Sequence, residues 1–284
     1  MWPVLIDLGF WEVPTYGLLL FTGIALGLWM AARRAGTVGL AGEKILDLGA
    51  WVVLWGLLGG KLFLVFTEPR HLSSLSALLG LFRAGGVFYG GLIGALVAAI
   101  VLLRRYKLPL FLTVDVLAPG VALGHFFGRL GCFAAGCCYG SHCDLPWAVE
   151  FTHPKALEIS GTPLGVPLHP VQLYEAAFNL ANAVFLAWLF RRRPPAGSVL
   201  GAYLVTYGIG RFTIETFRGD ADRGFLFGGA LSTSQGIALL MVPLGLGLLA
   251  WAWKRQGSGV RGPGSGGERT GSGVRGPGSG KDKG

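Results

Sequence analysis

The chain has 284 residues, of which 52% are hydrophobic and only 14% charged, and its mean hydropathy is +0.57. Soluble domains carry about 25% charged residues, so this composition excludes a disordered protein, a nucleic-acid-binding domain and a typical cytosolic enzyme. The formal charge of +9 does not indicate a nucleic-acid partner, because the residues from Lys254 onward contribute +5 of it without any apolar run. The composition predicts an integral membrane protein.

Seven apolar runs are long enough to cross a bilayer, which takes about 17–25 residues in a helix. In chain order they cover residues 16–32, 45–66, 85–103, 110–127, 173–190, 199–214 and 230–253. Asp115 and Arg211 make the fourth and sixth runs less apolar than the others. We therefore predict an all-α membrane protein with about seven transmembrane helices.

Lysines and arginines are concentrated in alternate connections between these runs. The basic connections contain Arg33, Arg34, Lys44, Arg104, Arg105, Lys107, Arg191, Arg192, Arg193, Lys254 and Arg255. Because cytoplasmic connections are enriched in Lys and Arg, the pattern predicts an N-terminus outside the cytoplasm and a C-terminus inside it.

Two regions are predicted along the chain. A membrane domain covers residues 1–255 and includes an outer head loop at about 128–170. Residues 256–284 are rich in Gly, Ser and Pro, and the sequence GSGVRGPGSG occurs there twice. Because such a segment has no residues to build a core, we predict a disordered tail.

Glycines four residues apart favour close packing of membrane helices. This spacing is present at Gly23/Gly27, Gly90/Gly94 and Gly120/Gly124/Gly128. We predict helix contacts at these positions.

Ionisable residues at membrane depth are candidates for function, because their insertion costs at least about 2.5–3.5 kcal/mol. Arg211, Glu215 and Arg218 follow one another at i, i+4 and i+7 and share one helix face. Two guanidiniums around one carboxylate predict a positive site suited to a phosphodiester. A structural ion pair with Arg218 at the interface is the alternative.

A second cluster reads GRLGCFAAGCCYGSHC, in which Arg129 is surrounded by glycines that allow tight turns and close approach to a ligand. All four cysteines occur in it, at positions 132, 137, 138 and 143. On the outer side of a membrane an even number of cysteines favours disulfides, so a disulfide-stapled head loop between Cys132 and Cys143 is predicted. Three pairings are possible, and a bond between the adjacent Cys137 and Cys138 is the least favoured. A four-thiolate zinc site and structural or catalytic thiols remain alternatives.

Other polar groups occur near the ends of predicted helices. His169, Gln172 and Glu175 begin the fifth span, where acidic and hydrogen-bonding groups are also typical of ordinary helix initiation. Tyr16 and Tyr89 begin the first and third spans, where interfacial aromatic residues are common.

Together these motifs resemble the prolipoprotein diacylglyceryl transferase family of bacterial inner-membrane enzymes. The collinear matches are TYGLLLFTGIALGLWMAARRA, GGVFYGGLIGA, GRLGCFAAGCCYG, HPVQLYEA and YGIGRFTIETFR. The resemblance implies a seven-helix membrane fold with an outer head and an N-terminus outside. It also implies transfer of diacylglyceryl from phosphatidylglycerol to the lipobox cysteine of a lipoprotein precursor, without a cofactor, a resident metal or nucleic acid.

By this resemblance, Arg129 and Arg211 hold the headgroup phosphate, and Glu215 and Arg218 support them. Three further positions coincide with functionally important positions of the family, and they are Tyr16, Tyr207 and Gly140.

The sequence departs from the family pattern at three polar positions. Tyr89 replaces a histidine proposed as the base, Cys132 replaces an asparagine and Cys137 replaces a glutamate. A phenol of pKa about 10 is a poor base, so Glu215 and His169 are the remaining candidates. A non-catalytic phospholipid-binding or accessory protein derived from this family is the alternative function.

Overall fold

A computed structural model describes residues 2–9, 12–67, 88–220 and 224–257. The backbone is mainly helical. The helices are α1 (Thr15–Thr37), α2 (Gly42–Thr67), α3 (Phe88–Arg105), α4 (Leu110–Ala135), α5 (Pro154–Ser160), α6 (Val171–Arg191), α7 (Ser198–Glu215) and α8 (Thr233–Gly257). Five of them, α1, α2, α4, α6 and α8, are long and apolar enough to cross a membrane. A mostly helical membrane protein is thereby confirmed.

Three short antiparallel ribbons accompany the helices in the described ranges of the chain. Strand β1 (Val4–Asp7) pairs with β2 (Glu12–Pro14), β3 (Val149–Glu150) with β4 (Pro167–Leu168), and β5 (Phe225–Leu226) with β6 (Leu231–Ser232). A short 3-10 turn, Phe227–Gly229, joins the last two strands. Strands of two to four residues are too short for a periodic pattern, and the sequence analysis did not predict them.

Helix α4 is longer than predicted, since it continues past residue 127 to Ala135. It ends at Gly136, whose left-handed conformation (φ 81°) directs its N–H to the carbonyl oxygens of Cys132 and Phe133. Arg129 and Cys132 therefore lie on a helix and not in the predicted head loop. Helix α8 also continues into the predicted tail, to Gly257, and residues 258–284 lie outside the described part of the chain.

Helices α1 and α4 cross through glycines, as the spacing predicted. A Cβ on Gly27 would lie 2.7 Å from the carbonyl oxygen of Gly120, and one on Gly23 would lie 2.7 Å from the Cβ of Phe127. Gly128, by contrast, has no atom of the described residues within 4 Å of its Cβ position. The crossing therefore depends on glycine at positions 23 and 27, whereas Gly128 does not contribute to it.

Helices α2 and α3 form a second glycine crossing. A Cβ on Gly90 would lie 2.5 Å from the carbonyl oxygen of Gly59, and one on Gly94 would lie 3.2 Å from the Gly59 Cα. The predicted contact at Gly90/Gly94 is confirmed.

Helix α7 begins on a buried carboxylate. The N–H groups of Gly197 and Leu200 donate to Asp115 Oδ2 and Oδ1 at 2.7 and 2.8 Å. Asp115 on α4 is only 2% exposed, so it satisfies helix-terminal donors that have no partner within α7 itself. This contact fixes the beginning of α7 relative to α4.

The main core lies between α1, the beginning of α2, α4, α6 and α7 and is built of small and branched apolar residues. Its members include Ala31, Ala35, Ile45, Val116, Ala122, Leu186 and Val199. Large apolar side chains on the outer helix faces remain exposed, among them Phe21, Leu57, Val184 and Leu244. Such faces are suited to lipid.

Candidate active site

The centre of the site is one buried carboxylate shared by two arginines. Glu175 on α6 pairs through Oε2 with Arg129 Nε on α4 and through Oε1 with Arg211 Nη1 on α7. Only 4% of Glu175 is exposed. Three helices are therefore joined at a single side chain, and two of the predicted site residues are brought together there.

The arginine–carboxylate chain continues along α7. Arg211 Nη2 pairs with Glu215 Oε2 at 2.8 Å and donates to Ser234 Oγ at 3.0 Å. Arg218 Nη1 lies 3.7 Å from the same Glu215 oxygen. The predicted proximity of these three charged residues is confirmed, but Arg218 lies beyond the end of α7 and not on its helix face.

Arg218 has a closer partner outside the helix. Its Nε donates to Asp220 Oδ1 at 2.9 Å, and its Nη2 pairs with Oδ2. Burial alone would lower the pKa of Arg218, but the hydrogen bonds and charge of Asp220, with further negative groups, raise that pKa above its usual value. Arg218 is therefore a permanent cation.

The site is not the net positive cluster that the sequence predicted. Three arginines are accompanied by three carboxylates, since Glu175 and Asp220 join Glu215. Buried charges are costly unless they are paired, which explains why every guanidinium of the group is paired with at least one carboxylate. The six groups together are neutral.

A cavity of about 590 Å³ opens beside this centre, between α1 and α4. Its polar end is lined by Tyr16, His125, Arg129, Cys132, Asn179 and Tyr207. Its other walls are apolar and include Leu20, Ile24, Leu28, Val53, Leu117 and Val121. One polar end and one long apolar part match the form of a phospholipid.

Tyr16 and Tyr207 both line this cavity. The backbone of Tyr16 packs on Gly131, where an added Cβ would lie 3.2 Å from the Tyr16 Cα. The Tyr207 ring lies 5.2 Å from His125 and 5.5 Å from Tyr203, measured between centroids. The structure thus places both tyrosines beside Arg129.

The remaining predicted site residues lie outside the cavity lining. His169 packs in a ring cluster with Phe217 and Tyr174, whose hydroxyl lies 3.3 Å from His169 Nδ1. Gly140 lies against the His169 backbone and pairs with Arg218 in an isolated bridge, so a side chain at Gly140 would have no room. Tyr89, at the start of α3, is 63% exposed.

Three of the four cysteines form a cluster. The Sγ atoms of Cys132, Cys137 and Cys138 lie within 4.8 Å of one another, and Cys143 is buried outside this group. All four are free thiols in the structure, and the disulfide stays a prediction. Hydrogen bonds from the other two thiols of the cluster lower the pKa of Cys138, and nearby arginines act in the same direction.

The backbone around the cluster is held from α6. Gln172 Nε2 donates to the Cys137 carbonyl oxygen at 2.8 Å, and Gln172 is only 1% exposed. Cys138 adopts a left-handed conformation (φ 59°), which is uncommon for a residue with a side chain. The orientation of the Cys138 side chain therefore depends on a backbone conformation that costs free energy.

The sequence analysis missed the central role of Glu175. It was interpreted as a helix-initiating residue, although a carboxylate inside an apolar run is itself a functional signal. His125, Asn179 and Ser234 also contribute to the site, and nothing in their sequence context distinguished them.

Fold and site together define a helical membrane protein with an arginine–carboxylate centre at the polar end of a cavity whose other walls are apolar. A family model described as prolipoprotein diacylglyceryl transferase matches residues 3–251. The chain belongs to the prolipoprotein diacylglyceryl transferase family.

Curated relatives agree with this assignment. The chain is 37% identical over 265 residues to the phosphatidylglycerol–prolipoprotein diacylglyceryl transferase of Azotobacter vinelandii, covering 89% of this chain and 95% of the relative. The protein of the same name from Clostridium tetani is 32% identical, with 87% and 96% covered. That from Nitratidesulfovibrio vulgaris is 36% identical, with 87% and 93% covered.

Proposed function

We propose that this protein transfers sn-1,2-diacylglyceryl from phosphatidylglycerol to the lipobox cysteine of a lipoprotein precursor and releases glycerol phosphate. The observation that carries the proposal is the Glu175-bridged pair of arginines at the polar end of the cavity. Family membership and the names of the relatives support the same reaction.

The two arginines have different parts in this proposal. Arg129 lines the cavity, and 23% of its side chain is exposed. Within the described ranges Glu175 is the only carboxylate that pairs with it, through Nε, so the Nη groups are available to phosphate oxygens. Arg211 is 10% exposed and engages two carboxylates and Ser234. Arg129 binds the phosphate, and Arg211 positions Glu175.

The lipid lies with its headgroup at Arg129 and its acyl chains along the apolar walls. As the carbon–oxygen bond breaks, negative charge grows on the departing phosphate, and a preorganised guanidinium stabilises that charge. Tyr16 and Tyr207 shape the headgroup end, and Glu215 and Arg218 hold Arg211 in place through the ion-pair chain. Because Tyr89 and His169 lie outside the cavity lining, they contribute less directly.

The proposed setting is a bacterial inner membrane with seven spans, the N-terminus outside and the C-terminus in the cytoplasm. Five helices are by themselves long and apolar enough to cross a membrane. In this proposal α3 and α7 are the other two spans. The alternating basic connections support this orientation.

The test compares transfer by the purified full chain with that of Arg129 variants. The substrates are phosphatidylglycerol vesicles and a lipobox peptide, and the lipidated peptide is measured by mass spectrometry. Loss of a charge-assisted contact costs about 1.5–3 kcal/mol, so Arg129→Ala should slow transfer roughly 10- to 150-fold. Arg129→Lys should also fail to restore the rate, because Lys lacks the planar fork.

Arg104→Lys is the matched control, since Arg104 is exposed on α3 and lies outside the cavity lining. Phosphatidylglycerol binding without any transfer by the parent protein would favour the accessory, non-catalytic function. Equal rates for both Arg129 variants and the parent would place the phosphate site elsewhere.

A further inference from the structure

The thiol cluster lies at the edge of the proposed lipid site. Cys132 lines the cavity together with Arg129, and Cys137 and Cys138 follow in the turn after α4. Their three sulfur atoms lie within 4.8 Å of one another. Each is half-buried, so the cluster is neither sealed in the core nor freely solvated.

This spacing fits a metal coordinated by three thiolates. A zinc–sulfur distance of about 2.3 Å places sulfurs roughly 3.8 Å apart at tetrahedral angles. The three sulfurs lie within 4.8 Å of one another, and the left-handed Cys138 and the Gln172–Cys137 hydrogen bond hold the turn that brings them together. Zinc sites with three protein ligands keep a fourth position for water or substrate.

The chemistry of the ligand atoms selects the kind of metal. No carboxylate belongs to the group of closely spaced metal-ligating atoms that the described residues form. Sulfur ligands alone select a thiophilic cation of the zinc type over magnesium or calcium.

We propose that Cys132, Cys137 and Cys138 bind a thiophilic divalent cation, of which Zn²⁺ is the representative, and that its fourth position takes the thiol of the acceptor cysteine. The second half of this proposal rests on the proposed transferase function. In this proposal the metal-bound cluster activates the acceptor thiol. It thereby takes the part of the histidine base that Tyr89 replaces.

The proposed step balances without an oxidant or reductant. Coordination replaces the S–H bond of the acceptor cysteine by a metal–sulfur bond and releases one proton to water. A sulfur electron pair then forms the bond to the glyceryl carbon. The bond from that carbon to the phosphate oxygen breaks, and its electron pair leaves with glycerol phosphate beside Arg129.

The experiment measures metal bound to the full chain in detergent, after purification under reducing conditions and loading with Zn²⁺ or Co²⁺. We expect one metal per chain and a thiolate-to-cobalt absorption band. Cys137→Ser and Cys138→Ser should each lose most of the bound metal, whereas Cys143→Ser should retain it because Cys143 lies outside the cluster. Thermal unfolding of each variant shows whether the protein is folded.

Absence of bound metal from the folded parent protein, or equal loss in Cys143→Ser, would overturn the site. Oxidation of the cluster to a disulfide in the reduced preparation would also overturn it. A lipobox peptide should change the cobalt spectrum, and its serine analogue should not. Identical spectra with both peptides would overturn the fourth-ligand assignment. A protein that binds metal but never transfers lipid would contradict the proposed function and leave the metal site intact.

Discussion

Gly27 and Gly120 bring the backbones of α1 and α4 into direct contact, because neither residue has room for a side chain. A Cβ on Gly120 would lie 2.5 Å from the Gly27 carbonyl oxygen. Both glycines also line the cavity. The width of the cavity is therefore set by the same contact that joins the two helices.

Gly27→Ala should force α1 and α4 apart and lower both stability and lipid binding. Overpacking of this kind typically costs about 1–3 kcal/mol. The measurements are thermal unfolding in detergent and phosphatidylglycerol binding. Gly36→Ala on the same helix is the control, since within the part of the chain that the structure describes nothing lies within 4 Å of its Cβ position. Equal behaviour of the two variants would contradict the role of the crossing.

Glu175→Gln should destabilise the protein strongly, although it preserves the shape of the side chain. Removing one partner of a buried ion pair costs about 3–5 kcal/mol, and here two arginines lose their common partner. The unfolding temperature and the transfer rate should both fall. Glu158→Gln, at an exposed position of α5, should leave both unchanged. An unfolding temperature of Glu175→Gln equal to that of the parent would show that Glu175 is not the centre of the site.

Asp115→Ala should loosen the beginning of α7 without touching the cavity. Loss of a helix cap costs about 0.5–2 kcal/mol, and Asp115 caps with two hydrogen bonds. We expect a lower unfolding temperature and nearly unchanged lipid affinity in the folded fraction. Asp47→Ala, exposed on α2, is the matched control. A selective loss of lipid affinity would instead assign Asp115 to the site.

Fusion of a reporter after Gly284 tests the predicted orientation. The basic connections predict a cytoplasmic C-terminus, so a reporter that is active only outside the cytoplasm should stay inactive, and one active in the cytoplasm should function. The reverse pattern would overturn the proposed orientation.

Hydropathy and glycine spacing were sufficient to predict the helical membrane fold and the crossings at Gly27 and Gly90. They could not predict the length of α4, because Arg129 makes its last turns look polar. Glu175 compensates the charge of Arg129, so that this arginine can lie on a buried helix. The two residues come together only in the folded protein. The motifs located Arg129 and Arg211, but the neutrality of the site depends on partners that are distant in sequence.

The division of the Glu175 carboxylate between Arg129 and Arg211 has a consequence for chimeric enzymes. Each of α4, α6 and α7 contributes one member of the group. If one of these helices is taken from a relative that lacks the corresponding charged residue, a buried charge is left without compensation. These three helices should therefore be exchanged between parents only as one block, whereas α2 and α3 contribute no member and can be recombined separately.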